Sequence, residues 1–352
     1  AAFAKATARK RTRKLPQFVA SRRGKRADAD ARRALVEARE HIAADRYAEA
    51  LKTVDAVKPT ADRITSIRLA GVRGDSLAKL WRHKEAIPVL ADAAQRAHDI
   101  GWMARHVTLL NLMGRAQRRL FDRNAIDTLT RALKVAESCD DAVRVAETLA
   151  SLGTVHRAFD DLPKALDFHR RALEAAEATG SLRVVAAVLL EHGLTEADCG
   201  NGKRGMELLE RAVAIYEKLD NKYGLAGSLV NLANACSEAG DAGRALECRA
   251  RALRLSEETG DRDGRAAAHM GLGNSYSRLG DRARAMTHYE QARLLFEEVG
   301  DRYDMALALL SLGRLEASGG EHASALSHGN EALRIVEGTG ARDIEAEALA
   351  VL

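Results

Sequence analysis

Apolar residues recur along most of this chain at spacings of three, four and seven, the pattern of helices that bury one stripe. A longer period overlies it. Ala132, Ala172, Ala212, Ala252, Ala292 and Ala332 stand 40 residues apart without exception. Seven residues before each comes another small residue: Ala125, Ala165, Gly205, Ala245, Ala285 and Ala325. Twelve earlier runs a third row, Gly153, Gly193, Ala233, Gly273 and Gly313, preceded by Leu152, Leu232, Leu272 and Leu312. Small residues at fixed points let two helices cross closely, so each period predicts one helix pair. Turn signals keep the same schedule: Gly200-Asn201, Gly240-Asp241, Gly280-Asp281 and Gly320-Glu321 within units, Gly180, Asp220, Gly260-Asp261, Gly300-Asp301 and Gly340 between them. Glycine ends one helix and aspartate caps the next. Pro163 suits a first turn, whereas Pro88 predicts a kink or a late helix start.

The fold class is all-α. The pattern divides the chain into a basic arm at 1–30, a degenerate hairpin at 31–66, and seven units at 67–105, 106–145, 146–185, 186–225, 226–265, 266–305 and 306–345. Residues 346–352 start a further helix. Without an initiator Met, and ending inside an apolar run, the sequence reads as part of a longer protein whose array continues or docks on something.

The run Leu272-Gly273-Asn274-Ser275-Tyr276, then Leu279-Gly280-Asp281, Ala285, His288-Tyr289-Glu290 and Ala292, resembles the tetratricopeptide repeat (TPR). The 40-residue version with Gly-Asp joints resembles the Pins/LGN-type subclass. The resemblance spans roughly residues 67–345 and implies a right-handed α-solenoid of antiparallel helix pairs with a concave groove for protein segments.

Composition sharpens this. Aromatics are only 4% and prolines four in 352 residues, as close-packed Ala/Gly/Leu pairs require. The net charge of +5 is an average of two parts. Residues 1–26 carry ten basic side chains and no acid, leaving 45 basic against 50 acidic residues in the body. No apolar run is long enough to span a membrane. Four cysteines without framework spacing point to a reduced, intracellular setting.

Little here supports catalysis. Gly200-Asn201-Gly202-Lys203-Arg204-Gly205 looks like a phosphate loop, but it is the intra-unit turn and no strand precedes it. The Gly271-Leu272-Gly273 run falls mid-helix. No histidine or cysteine cluster has zinc spacing, and His192 occupies a core leucine slot. The expectation is a non-enzyme without cofactor or metal.

The groove slots follow from aligning the units. Asn231, Asn234 and Asn274 are placed to hydrogen-bond an extended backbone. Asn274, Arg278 and Arg314 should make a positive patch, and Glu191, Asp198 and Glu238 a negative one, favouring a mixed-charge segment in one orientation. The lysines of the carboxylate clamp in chaperone-binding TPRs have no counterpart at the early first-helix positions, which hold Val107, Glu147, Ala187, Gly227, Ala267 and Leu307. In the arm, Arg9, Lys10, Arg11, Arg13, Lys14, Arg22, Arg23, Lys25 and Arg26 suit an acidic protein surface such as tubulin. Nucleic acid fits less well, since Phe3 and Phe18 are the arm's only aromatics. The resulting expectation is a TPR scaffold or adaptor in a large intracellular assembly, cytoplasmic or cytoskeletal, with a microtubule-associated or ciliary (axonemal) setting. The alternative is the sensor array of a larger signalling or transcription regulator.

Overall fold

The computed structural model describes residues 22–43, 46–337 and 342–351, with side chains for 27–43, 46–337 and 344–349. The described residues form helices only, and these pair in chain order. They are α1 (Arg22–Ala43) with α2 (Tyr47–Asp55), α3 (Arg63–Lys79) with α4 (His83–Asp99), α5 (Met103–Arg119) with α6 (Asn124–Ser138), and α7 (Ala142–Ala158) with α8 (Leu162–Ala178). There follow α9 (Leu182–Asp198) with α10 (Gly202–Lys218), α11 (Lys222–Glu238) with α12 (Ala242–Thr259), α13 (Arg262–Arg278) with α14 (Arg282–Val299), α15 (Arg302–Ser318) with α16 (His322–Val336), and the single α17 (Arg342–Val351). No described helix is long and apolar enough to cross a membrane.

The joints explain the regularity. A residue in the left-handed conformation closes nearly every helix, at intervals of 20 from Gly180 to Gly320. Glycine fills most of these positions, because a Cβ is disfavoured at φ near +75°. Aspartate, which tolerates the conformation, fills 140, 160 and 220, and Trp81 and Phe121 fill two others. The residue that follows is usually the N-cap of the next helix, and at several joints its side chain closes the cap. The Asp141, Asp241, Asp261, Asp281 and Asp301 carboxylates each accept a backbone N–H from the first turn of the helix they precede.

This schedule places each first helix three or four residues upstream of the unit boundary drawn from the alanine rows, at 63, 103, 142, 182, 222, 262 and 302. The caps set the boundary, whereas the rows begin inside the helix. The α17 helix begins at Arg342 rather than 346, and α1 takes in the end of the basic arm. No late start occurs at Pro88. The α4 helix runs through it from His83, losing one backbone hydrogen bond.

The three small rows lie in the core, among leucines such as Leu129, Leu149, Leu189 and Leu208. Ala132, Ala172, Ala212, Ala252, Ala292 and Ala332 are all fully buried. Beneath the glycine row of each first helix lies a residue of the second, 16 positions on. A Cβ on Gly153 would meet the His169 ring at 2.6 Å, and one on Gly273 the Tyr289 ring at 2.5 Å. Gly193 and Gly205 bring backbone to backbone: a Cβ on Gly205 would stand 2.7 Å from the Gly193 carbonyl oxygen. The α1–α2 pair has its own smaller core of Ala31, Leu35, Ala38, Ala50 and Val54 against Leu69 and Val72 of α3.

Each first helix also packs on the first helix of a neighbouring pair: α3 on α5, α5 on α7, α7 on α9, α9 on α11, α11 on α13 and α15 on α17. Among the described residues no two second helices pack comparably. A row of pairs touching along one side must curve toward that side, so the first helices line the concave face of a right-handed α-solenoid. The curvature brings distant units together. Trp81, in the α3–α4 turn, stacks on Tyr303 of α15 with centroids 6.4 Å apart and planes 8° off parallel. The Arg119 guanidinium covers the Trp81 ring at 4.9 Å.

Candidate functional site

Toward the C-terminal ends of α11, α13 and α15 the concave face opens into a cavity of about 710 Å³. Five of the eight expected groove residues line it: Asn234, Glu238, Asn274, Arg278 and Arg314. The others lie elsewhere. Asn231 is half-buried on α11, one turn before Asn234 and outside the lining.

The expected acidic patch is not continuous. Glu191 and Asp198 meet at Arg157, whose nitrogens stand 3.8 and 3.2 Å from their carboxylates, and Thr154 donates to Glu191 at 3.0 Å. Glu238 stands apart among the arginines of the cavity. Reading acidic slots alone omits Arg157, which comes from the preceding unit and occupies a different slot. In the basic patch, Arg314 is paired with Glu347 of α17. Arg278 donates to the Ser237 carbonyl at 3.3 Å. Of the arm, Arg9, Lys10, Arg11, Arg13 and Lys14 lie outside the described residues. Arg22, Arg23, Lys25 and Arg26 belong to the backbone of α1, and their side chains lie outside the description.

One residue in the cavity was missing from the slot reading. Arg249, on the second helix α12, is 3% exposed and reaches inward beneath α13. Its Nη1 donates to Ser237 Oγ at 3.0 Å and to Ser275 Oγ, and its Nη2 donates to Asn234 Oδ1 at 2.9 Å. Its Nε has no partner. Burial pulls its pKa below the usual arginine range, and the like charge of Arg278 adds to this. Next to it, the Tyr289 hydroxyl donates to Asn274 Oδ1 at 2.8 Å, and burial raises that phenol.

A signal for Arg249 does exist in the sequence. It occupies the column under the glycine row: Leu129, His169, Leu209, Arg249, Tyr289 and Gly329 at 40-residue spacing. Every other member is uncharged or a neutral histidine, and the column is buried throughout. An arginine there departs from what the repeat needs. Gly271 is its complement, since a Cβ on Gly271 would come within 2.7 Å of Arg249 Nε.

Chemistry elsewhere is sparse. No group of three or more His, Cys, Asp or Glu side chains that could hold a metal occurs among the described residues. His192 is a core residue stacked on His169, its Nε2 3.4 Å from Glu196. The four cysteines are free, and burial raises the thiols of Cys199, Cys236 and Cys248.

A curved stack of helix pairs with a polar cavity on its inner face defines a class of repeat protein that holds other proteins' segments. The chain belongs to the tetratricopeptide repeat family, whose model matches residues 105–178, 225–298 and 264–338. A comparison with curated proteins gives no match. Among solved structures, the chain is similar to the apo quorum sensor NprR from B. thuringiensis, with a TM-score of 0.62, 13% identity and 87% of each chain covered. It is similar to a Rap protein complexed with competence and sporulation factor, with a TM-score of 0.61, 13% identity, and 92% of this chain and 99% of that one covered. A third is the STAND signal-transduction ATPase with a TPR sensor from Pyrococcus horikoshii, with a TM-score of 0.61 and 15% identity. There the match covers 88% of this chain and 49% of that one. At these identities the likeness is one of fold.

Proposed function

We propose that this chain is a non-catalytic TPR scaffold that holds an extended segment of a protein partner along its concave face, centred on the cavity between α11 and α15. The observation that carries this is the placement of Asn234 and Asn274 one repeat apart on successive first helices, beside Arg278 and Arg314 in one cavity. Each Oδ1 already accepts, from Arg249 and from Tyr289, which leaves the amide N–H groups to donate to the carbonyls of an extended strand.

Of the two settings open from sequence, we carry the sensor array of a regulator rather than the microtubule or axonemal adaptor. Its support is the similarity along nearly the whole length to NprR, a quorum sensor, and to a Rap protein complexed with a factor. Tubulin docking rests on the arm, most of which lies outside the described residues.

The test is selection of a displayed random dodecapeptide library on the full chain and on the double variant N234A/N274A. The wild-type chain is expected to enrich a peptide family, and the double variant to bind those peptides about tenfold more weakly, as two lost hydrogen bonds imply. Enrichment of the same peptides with equal affinity by both would refute the groove.

A further inference from the structure

Arg249 poses a problem that the repeat fold does not explain. A buried charge is normally paired, because removal from water costs several kcal/mol per ion. Arg249 has no acidic partner. Its three hydrogen bonds go to two serines and an asparagine, all neutral, and no carboxylate is among the charges that act on it. Of its five N–H groups, the buried Nε and one on Nη2 are not donated. The column accepts leucine, histidine or tyrosine elsewhere, so packing does not require a cation.

The cavity's charge balance points to what is missing. With Arg314 paired to Glu347, the lining holds Arg249 and Arg278 against the single acid Glu238, a surplus of one positive charge. A single negative charge neutralises it. A phosphate group, with a charge near −2, would overshoot. We propose that this cavity is an anion subsite in which Arg249, with Arg278 at the rim, takes one carboxylate of the segment held in the groove.

The inference rests on the groove reading above and specifies its partner's chemistry. The carboxylate is either a C-terminal one or an Asp or Glu side chain. It differs from a lysine clamp at the start of the first helices, because the cation comes from a second helix and passes over Gly271. The arginine is pre-organised by Ser237, Ser275 and Asn234, so little side-chain freedom is lost on binding.

Fluorescence polarisation on the full chain tests it, with labelled hexapeptide pools in four forms: acid-free with a free C-terminus, amidated with one Asp or Glu, amidated and neutral, and amidated with one phosphoserine. One carboxylate form should bind about tenfold or more tighter than the neutral form, as a charge-assisted pair implies, and the winning form identifies the source. Arg249→Met should bring that form down to the neutral level. Its melting temperature should be unchanged or higher, since an unpaired buried charge is removed. Arg278→Gln, on an exposed residue, gives a second variant with no risk to folding, and should cost the carboxylate form alone. Equal binding of carboxylate and neutral forms, or an undiminished preference in both variants, overturns the subsite and leaves the groove standing. A preference for phosphoserine over both carboxylate forms overturns the assigned ligand. Binding of none of the four pools refutes the groove and the subsite together.

Discussion

At the scale of single residues, buried histidines set much of the pH response, and one of them, His169, sits in the column under the glycine row. His169 is fully buried with both ring nitrogens unpartnered, and burial pulls its pKa down to about 3. His83 and His269 are pulled down to about 4 by the same cause. All three are neutral in the folded chain, whereas the unfolded chain protonates them near 6.5. Between pH 6.5 and about 4 the unfolded state therefore binds more protons, and acidification through that window destabilises the fold. Asp301 and Asp304 act the other way: burial, and for Asp301 its neighbour, raise them, so their contribution weakens as pH rises above the carboxylate range. With three histidines named against two carboxylates, stability should fall from pH 6.5 to 4. Leucine already occupies the same column at 90, 129 and 209. His169→Leu should accordingly fit and raise stability at pH 5 by about 1–2 kcal/mol. Denaturant melts at pH 5 and 7.5 check this, and an equal effect at both pH values would show that titration is not the cause.

Helix pairs are the next scale. In the crossing of α9 on α10, Gly193 and Gly205 face each other, backbone to backbone. Gly193→Ala would push a methyl to 2.9 Å from the Gly205 carbonyl oxygen, which cannot rotate away. The expected loss is about 1–3 kcal/mol by urea titration. Gly227→Ala on α11, with nothing within 4 Å of its Cβ, should cost nothing and serves as the control. This scale was the most legible in the sequence, because a close crossing requires a small residue and the requirement recurs every 40 positions. Boundaries were read less well: the rows mark where helices touch, and the caps mark where they begin. The candidate site was read in part. Asn234, Asn274 and Arg314 came from the slot after the glycine row and Arg278 from the slot five after it, and all four share a cavity. Arg249 comes from the second helix, so a reading confined to the inner face missed it. Arg157, which divides the acids, lies four positions past the glycine row and outside the slots compared.

For the whole molecule, the decisive contact is the one across the coil. Trp81 touches both Arg119 and Tyr303, and Arg119 favours the charged form of Asp304 nearby. These residues join the second described pair to the eighth, over 222 positions of sequence. Stacking and cation–π contacts of this kind contribute on the order of 1 kcal/mol each. Trp81→Ala should therefore leave the melting temperature nearly unchanged while the coil opens, seen as a larger maximum dimension in small-angle X-ray scattering. An unchanged profile would mean that the helix-pair interfaces alone fix the pitch.

That contact also gives the coil a mechanical character. Pulled from its two ends, the array has one stiffness while the Trp81 ring rides on Tyr303 and a softer one once the rings part. The first yield should come at the parting of these rings, without loss of any helix, and the stacked pairs should then extend as a compliant spring before any of them unravels.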